Sequence, residues 1–139
     1  MINPEKLASM LENLSAYLDI LRDYAAVPGD EFLADRKALD GAKYNFIVAI
    51  ECCIDIGSHV IASEGMRVPS DYRDVAEVLE ESGIIGKDLA EKFKLMISFR
   101  NRLVHMYWKV DDELVREYLE NNLVDIGDLA KSYARLIQG

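Results

Sequence analysis

A permanent cation, a titratable imidazole and a phenol lie within one short run of this 139-residue sequence. The run reads Arg100-Asn101-Arg102-Leu103-Val104-His105-Met106-Tyr107. A guanidinium can stabilise the negative charge of a phosphorane, and an imidazole can move a proton near neutral pH. These groups are suited to phosphoryl transfer, so the question is which elements of the fold position them and whether they can meet.

The charge of the chain reverses around this run. Five Lys or Arg and no Asp or Glu occupy the segment from Lys92 to Lys109, although the net charge of the protein is −9. An acidic protein with a pI near 4.7 is a poor candidate for broad nonspecific nucleic-acid binding, which depends on a large basic surface. A small, local phosphate site remains compatible with this composition.

The remaining composition narrows the class of protein. Half of the residues are apolar and 29% are charged, so we expect one soluble domain over residues 1–139. The N-terminus lacks the pattern of a signal peptide, and uninterrupted apolar runs stop well short of the ~18 residues of a membrane helix, which favours the cytoplasm. Two adjacent cysteines and two well-separated histidines, His59 and His105, give no zinc-site spacing. We therefore predict neither a metal nor a cofactor.

Apolar residues recur with helical spacing in the first half of the chain. Asn3 is a suitable N-cap and Pro4 a suitable first residue for a helix that ends at Val27-Pro28-Gly29-Asp30. Its apolar stripe comprises Leu7, Met10, Leu11, Leu14, Tyr17, Leu18, Leu21 and Tyr24. A second, longer helical stretch is predicted from about Asp30 to Ser63, with Gly41 as a point where it can weaken or divide.

Capping residues predict the boundaries in the second half. Ser70 is predicted to cap a short helix over 71–81, and a fourth helix begins near Gly86 or Lys87. Asp111 is predicted to cap the last helical stretch, in which Asn121-Asn122 can introduce a kink. No segment alternates with period two, so we predict an all-α fold, an antiparallel up-and-down bundle of four to five helices.

Arg100 occupies a position that the helical pattern reserves for an apolar residue. It is the next inward position after Met96 and Ile97 on the fourth helix. We therefore expect its side chain to point inward or along a groove rather than into bulk solvent.

The motif also resembles that of a known family. Arg100-Asn101 followed after three residues by His105 resembles the Arg-x4–6-His signature of HEPN domains, with the polar residue that they prefer after the arginine. The extension to Tyr107 is similar to the Arg-x4-His-x-Tyr form of the HepT branch. Chain length, helical pattern, the helix through 49–56 and the Val110-Asp111 boundary agree with that branch, so the resemblance extends over essentially the whole chain.

The resemblance implies a small, metal-independent endoribonuclease toxin. Such a toxin is a homodimer, in which the catalytic Arg100 and His105 of two copies meet at the interface and cleave RNA, with tRNA as one candidate substrate. It further implies a type VII toxin–antitoxin system, in which an MntA-like nucleotidyltransferase antitoxin neutralises the toxin by adding AMP to Tyr107. No membrane is expected as a partner.

Helix geometry agrees with a site shared between two copies. On a regular helix Arg100 and His105 differ by ~140° in azimuth and ~7.5 Å along the axis, so one copy does not readily aim both groups at one atom. A twofold axis can bring a second set to the same place. Continued as a helix, Tyr107 falls ~20° from Arg100, so that an anionic adduct on Tyr107 would crowd or neutralise the arginine.

Neighbouring polar residues have less specific interpretations. Arg102 is interpreted as an RNA-phosphate contact or a solvated charge, and Asn101 as a residue that orients His105 or caps the helix. Trp108 can stack on RNA or anchor a core or dimer contact. Glu51 and Asp55, one turn apart, suggest a polar contact to Arg100 or a solvated face.

Two other functions remain open from the sequence alone. The chain can be a non-catalytic HEPN module that binds nucleotide or docks a nucleotidyltransferase, which the net charge of −9 favours. It can also be a substrate-binding adaptor unrelated to RNA. For the motif itself, the alternative is that Arg100 is an interhelical salt-bridge partner and His105 stabilises a helix C-terminus.

Overall fold

Only helices and connecting segments occur in the computed structural model, which describes residues 1–138. Within that range there are seven α-helices, one short 3₁₀ turn and no β-strand. The helices are α1 (Pro4–Ala26), α2 (Gly29–Ala34), α3 (Arg36–Ser63), α4 (Tyr72–Glu81), α5 (Lys87–His105), α6 (Asp112–Asn121) and α7 (Leu123–Gln138), and the 3₁₀ turn is Tyr107–Lys109. The predicted all-α fold is confirmed.

Several helix starts follow the predicted capping chemistry. The Asn3 side chain accepts hydrogen bonds from the amides of Glu5 and Lys6, with Pro4 in the first turn. Asp111 accepts from the amide of Glu113 at the start of α6. These caps satisfy amides that have no partner within their own helix, which is why polar residues mark the boundaries.

Three boundaries differ from the sequence prediction. The second helical stretch divides at Asp35, which caps α3 by accepting from the amides of Lys37 and Ala38, and not at Gly41. The cap of α4 is Asp71 rather than Ser70. The predicted kink near residue 122 is a full break between α6 and α7, so the helix count exceeds four to five because two predicted stretches are each divided.

The core forms around α3, which packs against α1, α4, α5 and α7. Gly57 of α3 permits a close approach of two helices, since a Cβ there would lie 2.8 Å from Val75 and 2.9 Å from the Tyr133 hydroxyl. That hydroxyl in turn donates to the Cys53 carbonyl at 2.9 Å. The glycine therefore lets α4 and α7 pack directly on the backbone of α3.

One helix of residues 1–138, α3, is long and apolar enough by composition to cross a membrane, with a mean hydropathy of 1.7 in its best window. Polar residues interrupt its apolar runs, so uninterrupted runs in the sequence do not reveal this average. Half of that window is buried inside the protein, and the helix also buries Lys43 and Asn45. Such burial is typical of the central helix of a bundle.

Candidate functional site

An aromatic cluster fixes the part of α5 that carries the arginine. Phe99 stacks on Tyr118 of α6 with ring centroids 4.0 Å apart and planes 11° from parallel, and it meets Phe46 of α3 edge-on at 5.4 Å. Phe99 is buried and immediately precedes Arg100. The backbone position of Arg100 is thus set by packing against two other helices.

Arg100 points into a groove, as predicted, and is held there by polar contacts. Its Nη2 and Nε donate to Oε1 of Glu51 at 2.7 and 3.2 Å, and its Nη1 donates to Oδ1 of Asn101 at 2.9 Å. Its Cζ lies 5.1 Å from the centre of the Tyr72 ring. With only 13% of its side chain exposed, the guanidinium is preorganised beside a carboxylate from α3.

A cleft of about 160 Å³ opens beside this guanidinium. Its lining consists of Glu51, Ile54, Asp55, Tyr72 and Arg100. Partial burial and the neighbouring Glu51 carboxylate raise the pKa of Asp55. The sequence left two interpretations for Glu51 and Asp55, a polar contact to Arg100 or a solvated face. The polar contact is confirmed for Glu51.

Asn101 takes a different role from the two that the sequence suggested. Its side-chain oxygen accepts from Arg100, and among residues 1–138 it neither hydrogen-bonds to His105 nor caps a helix. Asn101 therefore orients the arginine, not the histidine.

His105 lies on a different side of α5 and is open to solvent. It is the last residue of the helix, and within residues 1–138 its side chain makes no hydrogen bond or ion pair. Both motif residues lie on α5, where regular helix geometry separates them by ~140° in azimuth and ~7.5 Å along the axis. The structure thus does not bring Arg100 and His105 of one chain to a common point.

Tyr107 does not share a face with Arg100, and here the helical projection is wrong. The helix ends at His105 because Met106 leaves helical geometry (φ −140°, ψ 46°), and Tyr107 begins the 3₁₀ turn. Its hydroxyl donates to Oδ1 of Asp40 on α3 at 2.7 Å. Asp40 precedes Glu51 by eleven residues, or ~16 Å along the α3 axis, so an adduct on Tyr107 does not lie against Arg100 by helix geometry.

A cluster of charges surrounds the Tyr107 ring. Lys43, only 1% exposed, places its Nζ 4.6 Å from the ring centre and 3.5 Å from Oδ1 of Asp112. Arg36 pairs with Asp40 at 3.1 Å. Partial burial and the hydrogen bond to Asp40 raise the pKa of Tyr107 to about 12, while the same bond and Arg36 lower the pKa of Asp40.

The basic stretch is largely neutralised once the chain is folded. Lys92 lies 3.4 Å from Asp125 and Lys94 lies 2.6 Å from Glu77, and Arg100 is paired as described above. Within residues 1–138 only Arg102 and Lys109 of the five cations form no ion pair, and both are exposed. The local reversal of sign in the sequence therefore gives a small cationic surface near the end of α5.

Three residues beside the motif were missed by sequence reasoning. Asp40 and Tyr72 gave no signal, because their roles depend on how α3 and α4 pack against α5. Lys43 did give one, since it occupies an apolar-stripe position between Leu39 and Phe46. A charged residue at such a position indicates a buried ion pair. Trp108 is 77% exposed, which excludes the core role but neither an RNA nor a dimer contact.

No group of three or more His, Cys, Asp or Glu suited to a metal ion occurs among the residues that the structure describes.

The sequence as a whole was compared with known families. A family model described as ribonuclease HepT-like matches residues 14–133, which is most of the chain. The chain belongs to the ribonuclease HepT-like family.

Relatives of this HepT-like chain are named for RNA cleavage. A protein of Archaeoglobus fulgidus named as a candidate RNase is 43% identical over 82 residues, covering 59% of this chain and 61% of that protein. The mRNA nuclease HepT of Shewanella oneidensis is 28% identical over 97 residues, covering 70% and 73%. The match thus spans less than two thirds of the first relative's length.

Solved structures show the same HepT-like fold. An AMPylated Shewanella oneidensis HEPN toxin, solved in complex with an MNT antitoxin, superposes with a TM-score of 0.85 at 21% identity, covering 95% of this chain and 97% of that one. The cytosolic Bacillus subtilis protein YutE, of unknown function, superposes with a TM-score of 0.85 at 18% identity, covering 99% and 92%. The HEPN-like bundle is thereby confirmed.

Proposed function

We propose that this HepT-like chain is a single-domain, cytoplasmic, metal-independent endoribonuclease toxin that acts as a homodimer. The observation that carries the proposal is the placement of Arg100 and His105, one recessed in a groove and the other exposed, on different sides of α5. Both groups suit RNA cleavage, yet one chain does not converge them. A twofold dimer supplies a second set, and the exposed apolar side chains of Val104 and Met106, on either side of His105 in the sequence, offer a surface for that contact.

The chemistry assigned to the shared site is transesterification. One His105 takes the proton of the 2′-hydroxyl, whose oxygen attacks the phosphorus. The other His105, protonated, gives its proton to the 5′-oxygen as the bond from phosphorus to that oxygen breaks. The products are a 2′,3′-cyclic phosphate and a free 5′-hydroxyl, and Arg100 stabilises the charge that develops on the non-bridging oxygens.

Supporting roles follow from the contacts around these groups. Asn101 and Glu51 hold the Arg100 guanidinium in one orientation, which reduces the reorganisation needed when the phosphorane forms. Arg102, exposed near His105 on α5, is proposed to contact an RNA phosphate.

We further propose that a nucleotidyltransferase antitoxin of the MntA type silences the chain by adding AMP to Tyr107. The likeness to an AMPylated HEPN toxin bound to an MNT antitoxin supports this. So does the position of the hydroxyl, because its partner Asp40 keeps 47% of its side-chain surface exposed. A phenol at the edge of the protein is open to a modifying enzyme.

The second candidate is a non-catalytic HEPN module that binds nucleotide or docks such a partner. It is favoured by the ion pairs that neutralise Lys92, Lys94 and Arg100 on a protein of net charge −9. Of the five cations from Lys92 to Lys109, only Arg102 and Lys109 are then left without an ion pair among residues 1–138 to attract RNA.

Incubation of the purified protein with total RNA or tRNA in EDTA, beside His105→Ala, separates the two functions. We expect cleavage that survives chelation, falls steeply as salt rises, and drops on the order of 100-fold in the variant. His105 is exposed and its side chain has no hydrogen-bond or ion-pair partner among residues 1–138, so the circular dichroism and melting temperature of the variant should match those of the wild type. Equal cleavage by both proteins would refute the catalytic proposal.

A further inference from the structure

In the segment that follows the histidine, one residue before Val110 is not exposed. Of residues 104 to 109, all are exposed except Tyr107, which is half-buried. Buried anchors appear again only at Leu103 and Val110 on either side. Beyond the end of α5, Tyr107 is therefore the one residue of 106 to 109 whose side chain is partly buried.

The Tyr107 anchor is a polar clasp, defined by Tyr107, Asp40, Lys43, Arg36 and Asp112. The hydroxyl donates to Asp40 at 2.7 Å, and the ring lies over the buried Lys43 ammonium. Arg36 and Lys43 approach Asp112 at 3.9 and 3.5 Å. The clasp thus joins the start of α3, the 3₁₀ turn and the start of α6.

His105 lies between the buried Leu103 and the Tyr107 clasp. The imidazole makes no hydrogen bond or ion pair of its own within residues 1–138, so its position is set by the backbone at the end of α5. The next fixed point along the chain is Tyr107, two residues further on. A shift of about 1 Å in a catalytic group can lower a rate on the order of 100-fold.

We propose that Asp40 is a positioning residue for His105, acting through the Tyr107 hydroxyl, and that any group joined to that oxygen silences the site by releasing the clasp. This inference rests on the proposed function, because it uses RNA cleavage as the activity that Asp40 supports. In this inference an adduct on Tyr107 acts by releasing the clasp and not by crowding Arg100, because Arg100 lies beside Glu51, far along α3 from Asp40.

The chemistry of an adduct at Tyr107 supports release. Transfer of a nucleotidyl group from a nucleoside triphosphate forms a bond between the Tyr107 oxygen and the α-phosphorus and breaks the α–β phosphoanhydride bond. Pyrophosphate leaves and the phenolic proton goes to solvent, so the donor to Asp40 is lost. The phosphodiester is also an anion, and it would be held beside the Asp40 carboxylate. Like charges at hydrogen-bond distance repel each other, so the modified ring leaves its seat and residues 106 to 109 lose their attachment.

The test compares hydroxyl and carboxylate variants of the clasp without needing the modifying enzyme. Tyr107→Phe keeps the ring and removes the donor, Asp40→Ala removes the acceptor, and Asp40→Asn retains an oxygen that can accept from the phenol. Tyr44→Phe is the matched control, since it removes an exposed hydroxyl from the same helix, α3. Each protein is assayed for RNA cleavage and for amide hydrogen exchange at Met106 and Lys109, whose amides donate to Arg102 and Met106 carbonyls.

We expect Tyr107→Phe and Asp40→Ala to lower kcat by on the order of 10- to 100-fold with KM within about twofold, because RNA binding is kept while His105 is misplaced. Both should speed exchange at the two amides. The double variant should cleave RNA no more slowly than either single variant, and Asp40→Asn should recover much of the wild-type cleavage rate. Tyr44→Phe should match the wild type in both measurements.

Wild-type cleavage and exchange in Tyr107→Phe would overturn the inference while leaving the proposed function in place. A large loss in Asp40→Ala without one in Tyr107→Phe would also overturn it, since Asp40 would then act by another route. A wild-type protein that leaves RNA intact overturns the proposed function and the positioning role together, and the wild-type control distinguishes that case from the others.

Discussion

Removal of Glu51 tests whether the arginine of the motif is held as the structure shows. In Glu51→Ala the guanidinium of Arg100 keeps its contact to Asn101 but loses both hydrogen bonds to the carboxylate. Because only 13% of the Arg100 side chain is exposed, water cannot fully replace them. A recessed charge without its partner is the main source of the expected destabilisation.

The magnitude follows from the exposure of the two groups. Two unit charges 4 Å apart attract each other by about 4 kcal/mol at an effective dielectric constant near 20. Glu51 is 40% exposed, so solvent screening and desolvation of the arginine reduce the net value to about 1–2 kcal/mol. For a domain of this size that corresponds to a fall in Tm of about 3–6 °C.

Chemical denaturation of Glu51→Ala, Arg100→Ala and the double variant measures the pair directly. We expect a coupling energy of about 1 kcal/mol between the two positions. Glu120→Ala is the matched control, because its partner Arg116 is also 13% exposed and bonded at 2.7 Å but retains the Val27 and Ala25 carbonyls as acceptors. That control should lose only about 0.5 kcal/mol. A coupling energy near zero, or equal losses in Glu51→Ala and Glu120→Ala, would refute this reasoning.

Two further predictions concern stability. Arg67 lowers the pKa of Asp74 and of Glu81, so their stabilising effect is present above the ordinary carboxyl pKa of about 4 and is lost as the pH falls below it. Asp74→Asn should therefore reduce Tm at pH 7 and flatten its decline below about pH 4; an unchanged pH profile of Tm would contradict the pairing. Gly57→Ala should destabilise the protein by about 1–3 kcal/mol in urea denaturation, because the added Cβ would overlap core side chains. Gly127→Ala should stabilise it by up to about 1 kcal/mol, because the added Cβ meets only Arg22 at 3.6 Å. A change of the same sign in both variants would contradict this packing.

Local signals predicted much of this fold. Helical spacing of apolar residues gave the all-α class, and Asn3, Gly86 and Asp111 begin helices as expected, because a cap depends on residues within one turn. Asp35 is an N-cap of the same chemical type, but the sequence prediction placed the division at Gly41, because glycine weakens a helix interior. In the structure Gly41 continues α3, and its missing side chain accommodates Tyr24.

The candidate site was predictable only in part for a physical reason. The inward direction of Arg100 follows from its place on the α5 stripe, which is a property of one helix. The seat of Tyr107 depends on where α5 ends and on its register against α3, which Phe46 and Phe99 set by packing. No Gly or Pro near Met106 marks the end of α5 in the sequence. The helical projection therefore continued through Tyr107 and placed that residue on the same face as Arg100, which is wrong.

The central claim is that two chains share one catalytic site, and mixing wild-type protein with His105→Ala tests it most directly. The two are unfolded together, refolded at different ratios and constant total concentration, and assayed on RNA in EDTA. If both His105 side chains of a dimer are required, a 1:1 mixture retains about one quarter of the wild-type rate under random pairing, and activity follows the square of the wild-type fraction. A rate that falls linearly, to about one half in the 1:1 mixture, would show that each chain works alone and would contradict the account.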